Sequence, residues 1–202
     1  MAMEGDPITQ KQVGVATGMA IAVAITVITL ALPFVWPGFP TGPDDLAGTM
    51  RLWAYVTTGV SFWLLVSVAR LAKHRFFTPA DIDAAARSSE TSTARVLQSL
   101  LQNTLEQSVL AIAVYSAWFA LAPPEARLLP LLCVALFGLG RLLFFLGYER
   151  GAVARSLGFA LTFYPTVGLF ILLLGFSAAR LIGAAQAIPL QTTFGLDPSM
   201  FG

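Results

Sequence analysis

Glu106 stands in the middle of a long apolar stretch, and its neighbours at helical spacing are polar. Arg95, Ser99, Gln102, Asn103 and Glu106 fall three or four residues apart, so on a helix they share one face. Leu97, Leu100 and Leu101 take the opposite positions. An ionisable group at membrane depth costs about 2.5–3.5 kcal/mol on insertion scales, so such groups turn toward a bundle interior and mark a site. One or two carboxamides would be explained by hydrogen bonds that hold helices together. Five polar residues including a carboxylate point to a ligand. A second cluster, Arg141, Tyr148, Glu149, Arg150 and Arg155, crowds the joint between two further apolar stretches. Arg141 lies well inside its stretch and must pair with something, and Glu106 is the expected partner. A mouth lined by arginines, carboxamides and one carboxylate suits an anionic, peptide-like ligand. Its apolar flanks suit a lipophilic co-substrate arriving from the bilayer.

The composition sets the medium in which this chemistry works. The chain has 202 residues, 56% hydrophobic and 11% charged, with a mean hydropathy of +0.75. That is the profile of an all-α integral membrane protein, not of a water-soluble domain. The net charge of +1 points to no nucleic-acid partner. Cys133, alone of its kind, forms no internal disulfide and reads as a small core residue. One histidine, no spacing of metal ligands, no glycine-rich phosphate loop and no G-x-S-x-G leave soluble-enzyme chemistry without support, and no metal is expected.

About 20 apolar residues cross a bilayer as a helix, and five stretches qualify: 13–36, 52–71, 96–122, 128–148 and 156–182. The prolines at 37, 40 and 43 and the pair Pro123-Pro124 punctuate the connections. The first stretch follows Glu4, Asp6 and only Lys11, and no A-x-A cleavage site follows it, so it reads as a retained helix rather than a signal peptide. The expected division is a cytoplasmic N-terminus (1–12), an additional transmembrane helix (13–36), a four-helix membrane domain (50–182) and a short tail (183–202). Within the 72–93 connection, Thr78-Pro79 predicts a helix start, with proline at the first helical position. With the N-terminus in the cytoplasm, Lys11, Arg70, Lys73, Arg75, Arg87, Arg95, Arg141, Arg150 and Arg155 lie inside and Arg51, Arg127 and Arg180 outside. Nine of the 12 basic residues on one side satisfy the positive-inside rule. Both polar clusters then open to the cytosol.

The residues also carry a resemblance. Asn103-x-x-Glu106, within Leu-Gln-Asn-Thr-Leu-Glu-Gln, resembles the second-helix motif of the MAPEG family, the membrane-associated proteins in eicosanoid and glutathione metabolism. Arg141-x-x-Phe144-x-x-Gly147-Tyr148, followed by Arg150 and Arg155-x-x-Gly158-Phe159, is similar to that family's signature R-x-x-Y-x-x-G-Y…R-x-x-G-F. The similarity runs from about Leu52 to Ile182, with the motifs in family order. It differs where Ser99 stands for an arginine, Phe144 for a tyrosine and Gln107 for a tyrosine. The resemblance implies a divergent bacterial-type member of the inner membrane, with a MAPEG-like four-helix bundle per subunit preceded by one extra N-terminal helix. It further implies a homotrimer that binds glutathione between subunits. Asn103, Glu106, Tyr148 and Arg150 would hold the tripeptide, Arg141 would support it, and Arg155 would stabilise its thiolate. The implied activity is a glutathione-dependent transferase or peroxidase acting on lipophilic electrophiles in the lipid bilayer.

Two other functions compete. A non-catalytic MAPEG-like scaffold or ligand-binding protein would keep the fold without the chemistry. A small transporter would use Glu106 and Arg141 as a pathway pair, but the half of the third stretch beyond Val109 offers only Tyr115 and Ser116 as polar groups. A one-sided polar region fits binding or catalysis better than conduction.

Overall fold

The structure is a computed structural model that describes residues 7–82 and 91–186. Parts of three expected segments lie outside the described residues: 1–6 of the N-terminus, 83–90 of the 72–93 connection, and 187–202 of the tail. The described residues form six α-helices and no strand: α1 (Pro7–Val35), α2 (Leu46–Phe77), the single turn α3 (Pro79–Ile82), α4 (Ser92–Leu121), α5 (Leu129–Gly147) and α6 (Ala152–Gln186). All but α3 are long and apolar enough to cross a membrane. In lipid a helix satisfies its own backbone groups, so this architecture follows from the hydropathy. The chain is an all-α, multi-pass membrane protein.

Several helices run beyond the apolar stretches, because caps rather than hydropathy end a helix. α2 starts after Asp45, whose carboxylate accepts from the Gly48 amide, and runs through Arg75 to Phe77. The helix start expected at Thr78-Pro79 is present, as α3. Thr91 caps α4, its hydroxyl accepting from the Ala94 amide at 3.2 Å. The expected 72–93 loop is therefore helical at both ends. Gly151, with φ +98°, makes the turn into α6, which begins at Ala152, four residues before the apolar stretch expected from position 156.

The apolar core fills one end of the bundle. Val56 and Val60 of α2, Val114, Tyr115 and Trp118 of α4, Cys133 and Phe137 of α5, and Leu169 of α6 meet there. Trp118 donates its indole N–H to the Ala126 carbonyl at 2.9 Å, which satisfies the one polar atom of a large buried ring. The opposite end, where α2 and α5 finish and α4 and α6 begin, holds the polar clusters.

Two seams set the helix positions around that polar end. Along α5 and α6 the backbones come close at Gly140 and Gly158, where a methyl group on Gly158 would lie 2.8 Å from the Gly140 carbonyl oxygen and from Phe144 Cα. Along α1 and α6 the contacts recur every fourth residue of α1. A methyl on Gly14 would lie 2.8 Å from Val153 Cγ1, one on Gly18 would strike Ser156 Oγ, and Ala22 is fully buried. Small residues at this spacing let membrane helices approach closely, where dispersion and packing replace the hydrophobic effect as the driving force.

Candidate functional site

At the polar end, α1, α4, α5 and α6 enclose a groove of about 460 Å³. Asn103 of α4, Phe144 of α5, Tyr148 at the turn, Arg155 and Phe159 of α6 line it, and Val15 and Met19 of α1 complete it. Such a volume falls in the range of small-molecule pockets, about 300–1,000 Å³. A neighbouring groove of about 620 Å³ between α2, α4 and α5 carries Arg70, Lys73 and His74, and Tyr148 belongs to both.

Arg141 lies behind the first groove and is wholly buried. Its Nη1 donates to Asn103 Oδ1 at 2.8 Å and its Nη2 to Thr162 Oγ1 at 2.5 Å. Its guanidinium also lies over the Phe144 ring at 4.7 Å and the Phe137 ring at 5.7 Å. Phe144, which replaces the tyrosine of the family signature, thus offers Arg141 the face of a ring and no hydroxyl. Two hydrogen bonds and two aromatic faces compensate a cation far from water.

The expected ion pair between Glu106 and Arg141 is not formed. Glu106 instead accepts from the Gln102 carboxamide at 2.9 Å and is exposed. The reason is the rotation of α4 about its axis. Its inward face is Leu100, Thr104, Gln107, Ser108 and Ala111, all buried, while Arg95, Ser99, Gln102 and Glu106 point outward and Asn103 sits at the boundary. The stripe read as one face is one face, but it looks out of the subunit. Asn103, one position further round, is the member that reaches Arg141.

Arg155 is half-buried, and its guanidinium lies 4.8 Å above the centre of the Tyr148 ring. Among the described residues it has no hydrogen bond or ion pair through its side chain. The groove therefore presents a cation held by one aromatic face and free to receive an anion. Arg150 is exposed on the short 3-10 turn Tyr148–Arg150 and does not line the groove. Of the six expected site residues, the fold brings Asn103, Tyr148 and Arg155 to one groove with Arg141 behind them, and leaves Glu106 and Arg150 on the outside of the subunit.

Two parts of the site went unread in the sequence. Thr162, which accepts from Arg141, follows Arg155 by seven residues, so it lies on the same side of α6 two turns on. That spacing was the available signal. Val15 and Met19 come from the additional helix. The visible signal there was Gly14-x-x-x-Gly18, a close-packing pattern in an apolar helix.

The MAPEG family model matches residues 50–175, which covers most of α2, α3 to α5 and most of α6 and leaves α1 outside. No curated protein and no solved structure matches the chain.

Proposed function

The chain belongs to the MAPEG family, and from that premise we propose that it is a glutathione-dependent membrane transferase or peroxidase-like protein acting on lipophilic electrophiles. The observation that carries this reading is the Arg155 guanidinium, which faces the groove with only the Tyr148 ring as its partner. A free thiol titrates near pH ~8.5, and an adjacent guanidinium favours its anion, the nucleophilic form. The thiol proton passes to water. The sulfur then attacks an electrophilic carbon and forms a C–S bond; in a displacement the leaving group departs with its electron pair, and in addition to an activated alkene the π electron pair moves onto the conjugated carbonyl and water returns a proton. The protein needs no nucleophile of its own.

The other expected ligands fit the same arrangement. Asn103 spends its carbonyl oxygen on Arg141, so its amide N–H groups are the donors left for a ligand carboxylate. Glu106 offers an acceptor for the tripeptide's ammonium, and Arg150 a second cation for a carboxylate. Both are exposed on the isolated subunit. An exposed carboxylate about four turns into a membrane-spanning helix is costly against lipid, which supports a neighbouring copy covering this face of α4. A homotrimer with glutathione held between subunits accounts for that position.

The buried Phe144, where the family signature has a tyrosine, favours a second reading, a MAPEG-like scaffold that binds without catalysing. Thermal unfolding of the detergent-purified protein with and without glutathione separates the possibilities, since a ligand bound only to the native state adds about 2.7 kcal/mol at one hundred times its Kd. Stabilisation together with thiolate absorbance in the ultraviolet supports the transferase reading. Stabilisation alone supports the scaffold. The absence of both effects would leave the glutathione reading without basis.

A further inference from the structure

α1 lies outside the region that the family model matches, yet it forms part of the groove. Its seat is not incidental. Gly14 and Gly18 bring it against Val153, Ser156 and Leu157, Ala22 continues the seam, and Gly168 of α6 receives Thr26 and Leu30. The period of four along α1 keeps one face on α6 over some four turns. Val15 and Met19 follow Gly14 and Gly18 by one position each, so the packing that fixes the glycines also fixes these two side chains at the groove. Ser156 belongs to both features: it is the atom that Gly18 packs against, and it lines the groove beside Arg155.

We infer that α1 is a specificity-determining wall of the Arg155 groove, in which Val15 and Met19 limit the apolar co-substrate to compact electrophiles and exclude long acyl chains. Space decides this. The groove of about 460 Å³ lies in the lower half of the range of small-molecule pockets, about 300–1,000 Å³. Without α1 its flank beside Ser156 and Phe159 would open to lipid, and a chain could lie along α6. Met19 is 40% exposed and unbranched, which lets it bend around ligands of differing shape while still closing the space. What the groove accepts rests on the transferase reading; the wall itself does not.

The test is built to separate the two. In the full-length chain, Cys133→Ala removes the native thiol and Phe159→Cys places one in the groove. Its reaction with N-ethylmaleimide and with the bulky, apolar N-pyrenylmaleimide is compared with that of free cysteine in the same detergent. The wall predicts discrimination against the pyrenyl reagent of about tenfold beyond the free-thiol ratio, the lower end of what pocket shape achieves for small apolar differences. Met19→Ala should erase most of that discrimination, Met19→Trp should slow both reagents, and Gly18→Leu, which lifts α1 off Ser156, should act like Met19→Ala. The two Met19 changes are at a part-exposed position and keep the test intact if Gly18→Leu does not fold. Equal ratios in all variants would overturn the wall. In parallel, kcat/KM is measured for chlorodinitrobenzene and for a long-chain hydroxyalkenal, and the preference for the compact substrate should fall in Met19→Ala. A parent that binds no glutathione yet shows the labelling pattern loses the transferase reading and keeps the wall; the reverse result keeps the transferase and discards the wall.

Discussion

Arg141 of α5 donates to the side-chain oxygen of Asn103 of α4 at 2.8 Å. Among the described residues, this bond joins the most deeply buried cation to the residue that borders the groove. It gives the guanidinium one of its two hydrogen bonds, leaving Nε without a partner, and it occupies the Asn103 carbonyl oxygen so that the amide N–H groups are left for a ligand.

Asn103→Leu should therefore destabilise the protein by about 1.5–3 kcal/mol, the usual worth of a hydrogen bond to a charged group. The change leaves Arg141 with Thr162 as its one hydrogen-bond partner. In a double-mutant cycle read by chemical unfolding in detergent, Asn103→Leu and Arg141→Leu should deviate from additivity by more than about 0.5 kcal/mol. Glu106→Gln and Arg141→Leu should add, because those two side chains do not meet within a subunit. Strong coupling in the second cycle would overturn the separation of Glu106 from Arg141.

Arg155→Ala should leave folding intact and reduce conjugation of chlorodinitrobenzene at pH 7 by about tenfold or more, as the bound thiol returns toward its free value near pH ~8.5. The deficit should shrink as the pH rises to that value, where the thiol ionises unaided. Arg155→Lys should restore the charge but not the planar stacking on Tyr148 and should recover only part of the rate. Full recovery with lysine would reduce Arg155 to a headgroup anchor.

In α3, Asp81 is fully buried. It accepts from the Thr91 hydroxyl at 2.6 Å, the Thr91 amide at 2.9 Å and His74 Nε2 at 2.8 Å. The two Thr91 donors, with a smaller contribution from His74, outweigh burial and hold its carboxyl below the usual carboxylate range. A depressed folded-state value means stabilisation that is complete above the unfolded value near pH ~3.9 and is lost as the pH falls below it. The protection factors of the Thr91 and Ala94 amides, taken against the intrinsic exchange rate at each pH, should fall over that acid window in the parent. In Asp81→Asn they should be low already at neutral pH and change little with acid.

Gly158→Ala tests the seam that positions Arg155. Its methyl would meet the Phe144 backbone and the Gly140 carbonyl, atoms that cannot move aside without shifting a helix. Overpacking of this kind costs about 1–3 kcal/mol, so the unfolding midpoint should fall and thiol binding should weaken with it. An unchanged midpoint would show that α5 and α6 have slack at this crossing.

The positive-inside rule predicts a cytoplasmic N-terminus, and five crossings would then put the C-terminus on the far side. Reporter fusions before Met1 and after Gly202 should give opposite compartments, with the cytoplasmic signal at Met1. The same compartment at both ends would mean that one of the five helices does not cross.

The sequence by itself determined the medium, the number of long helices and the residues from which a site could be drawn. About 20 consecutive apolar residues admit one interpretation in a bilayer, and Thr78-Pro79 marks a helix start by local backbone chemistry alone. Asn103, Arg141, Tyr148 and Arg155 were legible because polar groups are costly in lipid and stand out against an apolar background. Tertiary structure decided which of them meet. In water an amphipathic helix declares its buried face, but in lipid both faces of a spanning helix are apolar and the rotation about its axis leaves little trace in hydropathy. That rotation turns Glu106 outward, lets Asn103 and Thr162 rather than Glu106 satisfy Arg141, and seats α1 on α6 so that Met19 reaches the groove beside Arg155.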